Sequence, residues 1–184
     1  MKELSLNILD VAKNSVKAGA KNVVISIEET ERTLEISISD DGCGMTPEFL
    51  KNVADPFCTT RTTRSVGLGI PLLKLQAEQT GGKLEITSKH ESAHPLDHGT
   101  KTTALFYKDH IDMTPLGDVC GSVVTLIQGS PDIDFLFIHR VPGHEIRLDT
   151  KELRAVLGGE VPLDNPEVLM WISENLKEQY HEVS

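Results

Sequence analysis

Aromatic residues make up only 4% of this chain, with one tryptophan and two tyrosines among them. Cysteine is also scarce. Cys43, Cys58 and Cys120 are widely spaced and odd in number, and no C-x-x-C pair is present. That pattern argues against a disulfide framework or a thiolate zinc site and fits a reducing cytoplasm. Long apolar runs are missing as well. The longest are a few residues, against the roughly 20 a membrane-spanning helix needs. The first residues, MKELSLNILDVAKNS, interrupt their apolar stretch with Asn7, Asp10 and Lys13, so they read neither as a signal peptide nor as an anchor.

Basic residues are short on one side of the chain. Residues 1–108 carry 13 Lys+Arg against 14 Asp+Glu, a net of −1, while residues 109–184 carry 5 against 14, a net of −9. Such a tail repels nucleic acid and anionic membrane. It serves either solubility or an interaction surface, and composition alone leaves both open.

Of what is present, hydrophobic periodicity is most informative. Leu4, Ile8, Val11, Ser15 and Ala18 form a stripe at helical spacing and predict a helix over 2–18, stopped by Gly19. NVVISIEE (22–29) and TLEISISD (33–40) alternate with period two and predict a strand hairpin. Pro47 opens a short helix to about 53; 54–66 read as a loop; a further helix runs over 69–80, ended by Gly81 and Gly82. KLEITSKH and TKTTALFYK predict two more strands. Beyond Lys108 the spacing predicts a helix over 114–130, a hairpin around Val141-Pro142-Gly143, and helices over 150–157 and 166–180. The fold class is α+β, a two-layer sandwich with helices on one face of a mixed, mostly antiparallel sheet. Two parts are expected: 1–108, and a small acidic α+β extension, 109–184, that leans on the first part because 76 residues bury little by themselves.

Three constellations carry chemistry. Asp10, Asn14 and Lys17 share one face of the first helix at i, i+4 and i+7. An acid, an amide oxygen and an ammonium together suit hydrated magnesium and phosphate, although a solvated helix face has the same pattern. Asp40-Asp41-Gly42-Cys43-Gly44 follows a strand, where the glycines allow a tight turn and close approach of a ligand. EF-hand spacing is absent, which removes calcium. Gly67-Leu68-Gly69 opens a helix, where exposed N–H groups and the helix dipole favour phosphate. Neither a Walker loop nor a GxGxxG fingerprint exists. His90, His94 and His98 are spaced by four, but Pro95 breaks a helix there and a polar loop accounts for them.

These three motifs in this order resemble the GHKL family of histidine-kinase-like ATPases. LDVAKNSVKAGA resembles the N box, with a likeness to the MutL form in its Asn-Ser and Ala-Gly-Ala; DDGCGM resembles the G1 box. DPFCTTR resembles the F box of sensor histidine kinases, SVGLGIPLLK their G2 box, and TGGKLEI with GTKTTALF the closing strands. The likeness covers about 3–107 and implies a Bergerat-type pocket for ATP and magnesium. By this resemblance Asn14 is the magnesium ligand and Asp10 the catalytic base, standing where the family usually has Glu. Lys17 is a phosphate contact, Asp40 and Thr100 take the adenine amino group, and Gly42 and Gly44 let the chain approach the base. Gly67, Leu68 and Gly69 offer N–H groups to phosphate, and Arg61 and Arg64 of the lid reach toward it. Asp10 is one methylene shorter than Glu, which implies slow turnover.

No stretch resembles a dimerisation and phosphoacceptor domain or a transducer domain, and the lid is short. The implied function is a cytoplasmic, stand-alone Mg-ATP-binding protein in a signalling or regulatory role. It acts as a kinase or ATPase through the γ-phosphate, with a protein partner met through the lid or the acidic segment. The alternative is an ATP-responsive binding module, similar to anti-sigma factors, with little turnover. Neither nucleic acid nor membrane is an expected partner, and the oligomeric state is not specified by the sequence.

Overall fold

The structure is a computed structural model and describes residues 3–55 and 68–183. Helix α1 (Leu4–Lys17) leads into strands β1 (Asn22–Glu29) and β2 (Thr33–Asp40). Helices α2 (Pro47–Asn52) and α3 (Gly69–Gln79) follow, then β3 (Lys83–Lys89) and β4 (Gly99–Tyr107). The remainder is α4 (Val119–Gly129), β5 (Asp134–Val141), β6 (His144–Asp149), α5 (Thr150–Leu157) and α6 (Pro166–Val183). Gly19, at φ 77°, ends α1 in the left-handed conformation that an L side chain resists.

The six strands form one sheet in the order β3-β4-β2-β1-β5-β6. Only β1 and β5 run parallel; the other neighbours are antiparallel. Alternation along each strand sends Val23, Ile25 and Ile27 of β1, Leu34, Ile36 and Ile38 of β2, and Phe135 and Phe137 of β5 into one buried layer. Helices α1, α3, α4 and α6 cover that face with Ile8, Val11, Leu73, Leu126 and Ile172. The opposite face carries Ser26, Ser37, Thr103 and Glu35, partly exposed. The α+β two-layer architecture expected from the sequence is therefore the one observed.

The acidic extension shares the first part's core. Strand β5 lies beside β1 from Asn22↔Asp134 to Glu28↔Arg140. Helix α4 packs on α1, and the backbone joins them too: Pro115 O accepts from Leu4 N–H at 2.9 Å, and Leu116 O from Ser5 N–H at 2.8 Å. Those bonds satisfy N–H groups that the first turn of α1 leaves without intrahelical partners. Helix α4 accordingly begins at Val119, not at 114. Residues Pro115 and Leu116 are spent on α1, and the Asp118 side chain then caps α4 by accepting from Gly121 N–H at 2.8 Å.

Candidate nucleotide site

Strand β2 ends at Asp40 and β4 begins beside it, with Asp40 opposite Thr100 and Thr100 opposite Ser88 of β3. Helix α1 crosses above this end of the sheet. Asp40 Oδ2 accepts from Ser15 Oγ at 2.5 Å and Oδ1 accepts from Gly42 N–H at 2.9 Å. The carboxylate is thus aimed by two donors, one from α1 and one from the turn after β2. A cavity of about 50 Å³ is enclosed here by Val11, Asn14, Ser15, Ala18, Ile38, Asp40, Gly44, Met45, Ile70, Thr100 and Thr102. Its lining mixes apolar Val11, Ala18, Ile38, Met45 and Ile70 with polar Asn14, Ser15, Asp40, Thr100 and Thr102. A polar cleft of about 340 Å³ shares Asp40 and Thr100 and continues along Ser88, Lys89 and His98.

Asp41, one residue on, faces elsewhere. Its carboxylate accepts from Lys21 N–H at 2.7 Å, Asn22 N–H at 2.9 Å and the Asn22 side-chain amide at 2.8 Å. Burial pushes this carboxyl up, but the donors of Asn22 and Lys21 outweigh it and hold the group below the usual carboxylate range. Asp41 fastens the turn to β1, while Asp40 faces the cavity.

The glycines of the turn are packed closely. A Cβ on Gly44, at φ 70°, would lie 1.9 Å from Lys89 O, and one on Gly42 would lie 2.8 Å from the Ala18 Cβ. Both distances are far inside contact, so no side chain can be placed there without moving backbone. His98 Nδ1 meets Gly42 O at 2.5 Å, which ties the loop between β3 and β4 to the same turn.

At the other end of the cavity, α3 starts against α1. A Cβ on Gly69 would lie 2.9 Å from the Asp10 Cβ, so the α3 N-terminus and Asp10 are neighbours. Leu68, the residue before the first turn, is exposed. Asn14 lines the cavity, and its Nδ2 is buried without a partner among the described residues. A buried N–H donor in that state calls for an acceptor beyond the described residues. Lys17 sits one turn further on and is exposed. The structure therefore brings Asn14, Asp40, Gly44 and Thr100 onto one cavity, with Gly42 in its turn and Asp10 beside Gly69. Arg61, Arg64 and Gly67 lie outside the described residues.

Two participants escape the sequence reading. Ser15 is 4% exposed and orients Asp40; the Asn-Ser pair was visible, but nothing local said where its hydroxyl points. Ser88 receives Met45 N–H at 2.7 Å and sits 2.7 Å from Thr100 Oγ1. It lies in a strand of ordinary alternation, so only the β3–β4 register exposes its role. Among the described residues no three His, Cys, Asp or Glu side chains form a metal cluster.

Residues 2–110 match the family model described as histidine kinase-, DNA gyrase B-, and HSP90-like ATPase. The chain belongs to this family. Among its curated relatives, sporulation kinase C of Bacillus subtilis is 34% identical over 91 residues, 48% of this chain and 20% of that kinase. The sensor protein SrrB of Staphylococcus aureus is 31% identical over 94 residues, 48% of this chain and 16% of that protein. This chain therefore spans a fifth or less of the length of these relatives. Among solved structures, the Aquifex aeolicus MutL ATPase domain complexed with ADP superposes with a TM-score of 0.56 at 15% identity, over 86% of this chain and 70% of that one. The N-terminal domain of a DNA repair protein gives a TM-score of 0.53 at 15% identity, over 81% and 52%. These likenesses are of fold.

Proposed function

We propose that this protein binds ATP with magnesium in the cavity between α1, α3 and the end of β2, and uses it in a signalling or regulatory role toward a protein partner. The observation that carries the reading is Asp40, a carboxylate held by Ser15 and Gly42 on a cavity also lined by apolar Val11, Ile38, Met45 and Ile70. An amino-purine needs such a pairing: an acceptor for its exocyclic N–H and an apolar slot for its ring. Thr100, beside Asp40, supplies a hydroxyl at the same edge. Asn14 lines the cavity and carries an amide oxygen, the donor type a hard cation takes, so it would hold magnesium through Oδ1. Magnesium supplies charge neutralisation between phosphates when bound. Lys17, the backbone of Gly67, Leu68 and Gly69, and Arg61 and Arg64 would meet the phosphates. Asp10, beside the α3 N-terminus, would orient a water or an acceptor hydroxyl and take its proton.

One observation favours the second reading, an ATP-responsive binding module with little turnover. The base is Asp rather than Glu, and its Cβ already abuts Gly69, so a shorter carboxylate has less reach toward an attacking oxygen. Titration calorimetry with ATP, with and without magnesium, tests binding; a chain that binds neither form ends the proposal. Incubation with γ-labelled ATP and co-purified partners separates the two readings. Label on a partner supports the kinase, and binding without transfer or hydrolysis supports the module.

A further inference from the structure

Helix α5 packs Leu153 and Leu157 only partly against the core and leaves Val156 exposed. Of its eight residues only Thr150 is buried, while Leu153, Val156 and Leu157 line a groove of about 600 Å³. Val168 and Trp171 of α6 form the facing wall and Leu148 of β6 the floor. Val156 is 83% exposed and Trp171 50% exposed, so two large apolar side chains stand at the lip. An apolar trough of this kind marks an interaction site more often than chance exposure does.

The surroundings restrict the occupant. Strand β6 is a sheet edge, but an added strand is blocked: Arg147 N–H donates to Gln179 Oε1 at 2.8 Å and Arg147 O accepts from Gln179 Nε2 at 3.1 Å. With that backbone already paired, the groove between two helices suits a third helix. The rim also sets a charge. It carries Asp149, Glu152 and Glu167 with Arg147, and Arg147 is itself held by Asp149 at 3.1 Å and Glu152 at 3.0 Å. The segment 109–184 has a net charge of −9. An anionic membrane or nucleic acid is repelled by such a rim.

We propose that the α5–α6 groove is the docking site for an amphipathic helix of a partner protein, with an apolar ridge seated on Leu153, Val156 and Trp171 and flanking Lys or Arg side chains facing the acidic rim. This gives the partner of the proposed function a surface and a chemistry, and rests on that reading only in requiring a partner. The groove is separated from β2 by β1 and β5, so docking leaves the nucleotide cavity open.

Trp171 is the sole tryptophan and reports directly. The full chain is titrated with a synthetic helix of Leu and Lys, about five turns or ~18 residues long, and with its Leu/Glu counterpart. The Leu/Lys helix is expected to blue-shift Trp171 emission, with affinity falling as salt rises; the Leu/Glu helix is expected to do neither. Val156→Asp is the decisive variant. It adds negative charge at an exposed position, so general attraction of a basic peptide would strengthen, whereas groove docking is expected to weaken about tenfold or more. Equal or tighter binding to V156D, or no Trp171 response, overturns the proposal. So does a free chain that is a dimer and becomes monomeric in V156D, because the groove's occupant is then a second copy. Nucleotide binding, measured in parallel on V156D, is expected to be unchanged, so failure at the groove and failure at the ATP site are read separately.

Discussion

Ser15 of α1 donates its hydroxyl to Asp40 at the end of β2 across 2.5 Å. The bond joins the helix that carries Asp10 and Asn14 to the carboxylate that faces the cavity. It also leaves Asp40 Oδ1 in the grip of Gly42 N–H. The acceptor is therefore positioned before any ligand arrives, and little ordering is left to be done on binding.

Asp40→Ala is expected to weaken ATP by roughly 10- to 150-fold, the worth of a hydrogen bond to a charged group. Ser15→Ala is expected to weaken it less, since the acceptor remains but loses one restraint. Asp41→Ala acts on the fold: three donors from Lys21 and Asn22 lose their acceptor, so thermal stability falls while affinity changes little. Calorimetry and thermal melts on the three variants decide the matter. A larger affinity loss from Asp41 than from Asp40 would exchange the roles of the two carboxylates.

Asn14→Ala is expected to abolish the magnesium dependence of binding. Asp10→Asn keeps the volume of the side chain beside Gly69 and removes its basicity. It is expected to leave affinity within a few-fold and to lower any γ-phosphate turnover by about 10²- to 10⁴-fold. Turnover at the unaltered rate in D10N excludes Asp10 as the base.

The legibility of these features followed their range along the chain. Strands β1 and β2 stand at the residues their alternation spells out, and the left-handed end of α1 falls on Gly19. The polar face of Asp10, Asn14 and Lys17 and the turn Asp40–Gly44 were legible because each lies within one element. Relations across elements were not. Nothing in DIDFLFIHR says that it pairs in parallel with Asn22–Glu29, nor in Thr114–Leu116 that its carbonyls close the first turn of α1. Ser15 and Ser88 were missed for the same reason, since their partners are 25 and 12 residues away.

Acid stability is expected to depend on Glu29 at the end of β1. His139 Nε2 meets Glu29 Oε1 at 3.1 Å, Lys108 Nζ donates to Oε2 at 2.8 Å, and His139 Nδ1 meets the Tyr180 hydroxyl at 2.7 Å. The hydrogen bond from His139 lowers the Glu29 carboxyl most; burial opposes it, and Lys108 adds to the lowering, leaving it at about 2 against an ordinary 4.5. Burial meanwhile raises the Tyr180 phenol above its usual range, so it stays a neutral partner. The sign follows from the depressed carboxyl. The folded protein holds on to the charged form, so its contribution is complete above pH 4.5 and is lost as pH falls toward 2. In Glu29→Gln that part of the acid limb should flatten, and stability at neutral pH should fall by about 1 kcal/mol after allowing for partial exposure. Urea melts from pH 6 down to about 2 measure both; an acid limb unchanged in E29Q removes Glu29 from the account.

The single sheet makes a stronger demand on the acidic segment. Because β5 lies against β1, removing everything after residue 108 turns β1 into an edge and strips α4 and α6 from the buried layer. Val23, Ile25 and Ile27, all within 1% of full burial, would lose their strand neighbours Phe135, Phe137 and His139 and the helices above. Each large apolar side chain brought back to water costs about 1.5–3 kcal/mol, against a total stability on the order of 5–15 kcal/mol. The first turn of α1 would also lose Pro115 and Leu116 as acceptors. The full chain is therefore expected to unfold in one transition, with calorimetric and van't Hoff enthalpies in agreement. A 1–108 fragment is expected to be aggregated or molten and to bind ATP far more weakly than the whole. Two resolved transitions in the full chain, or a 1–108 fragment that melts cooperatively and binds ATP with full affinity, would show that the segment after 108 decorates the site without holding it together.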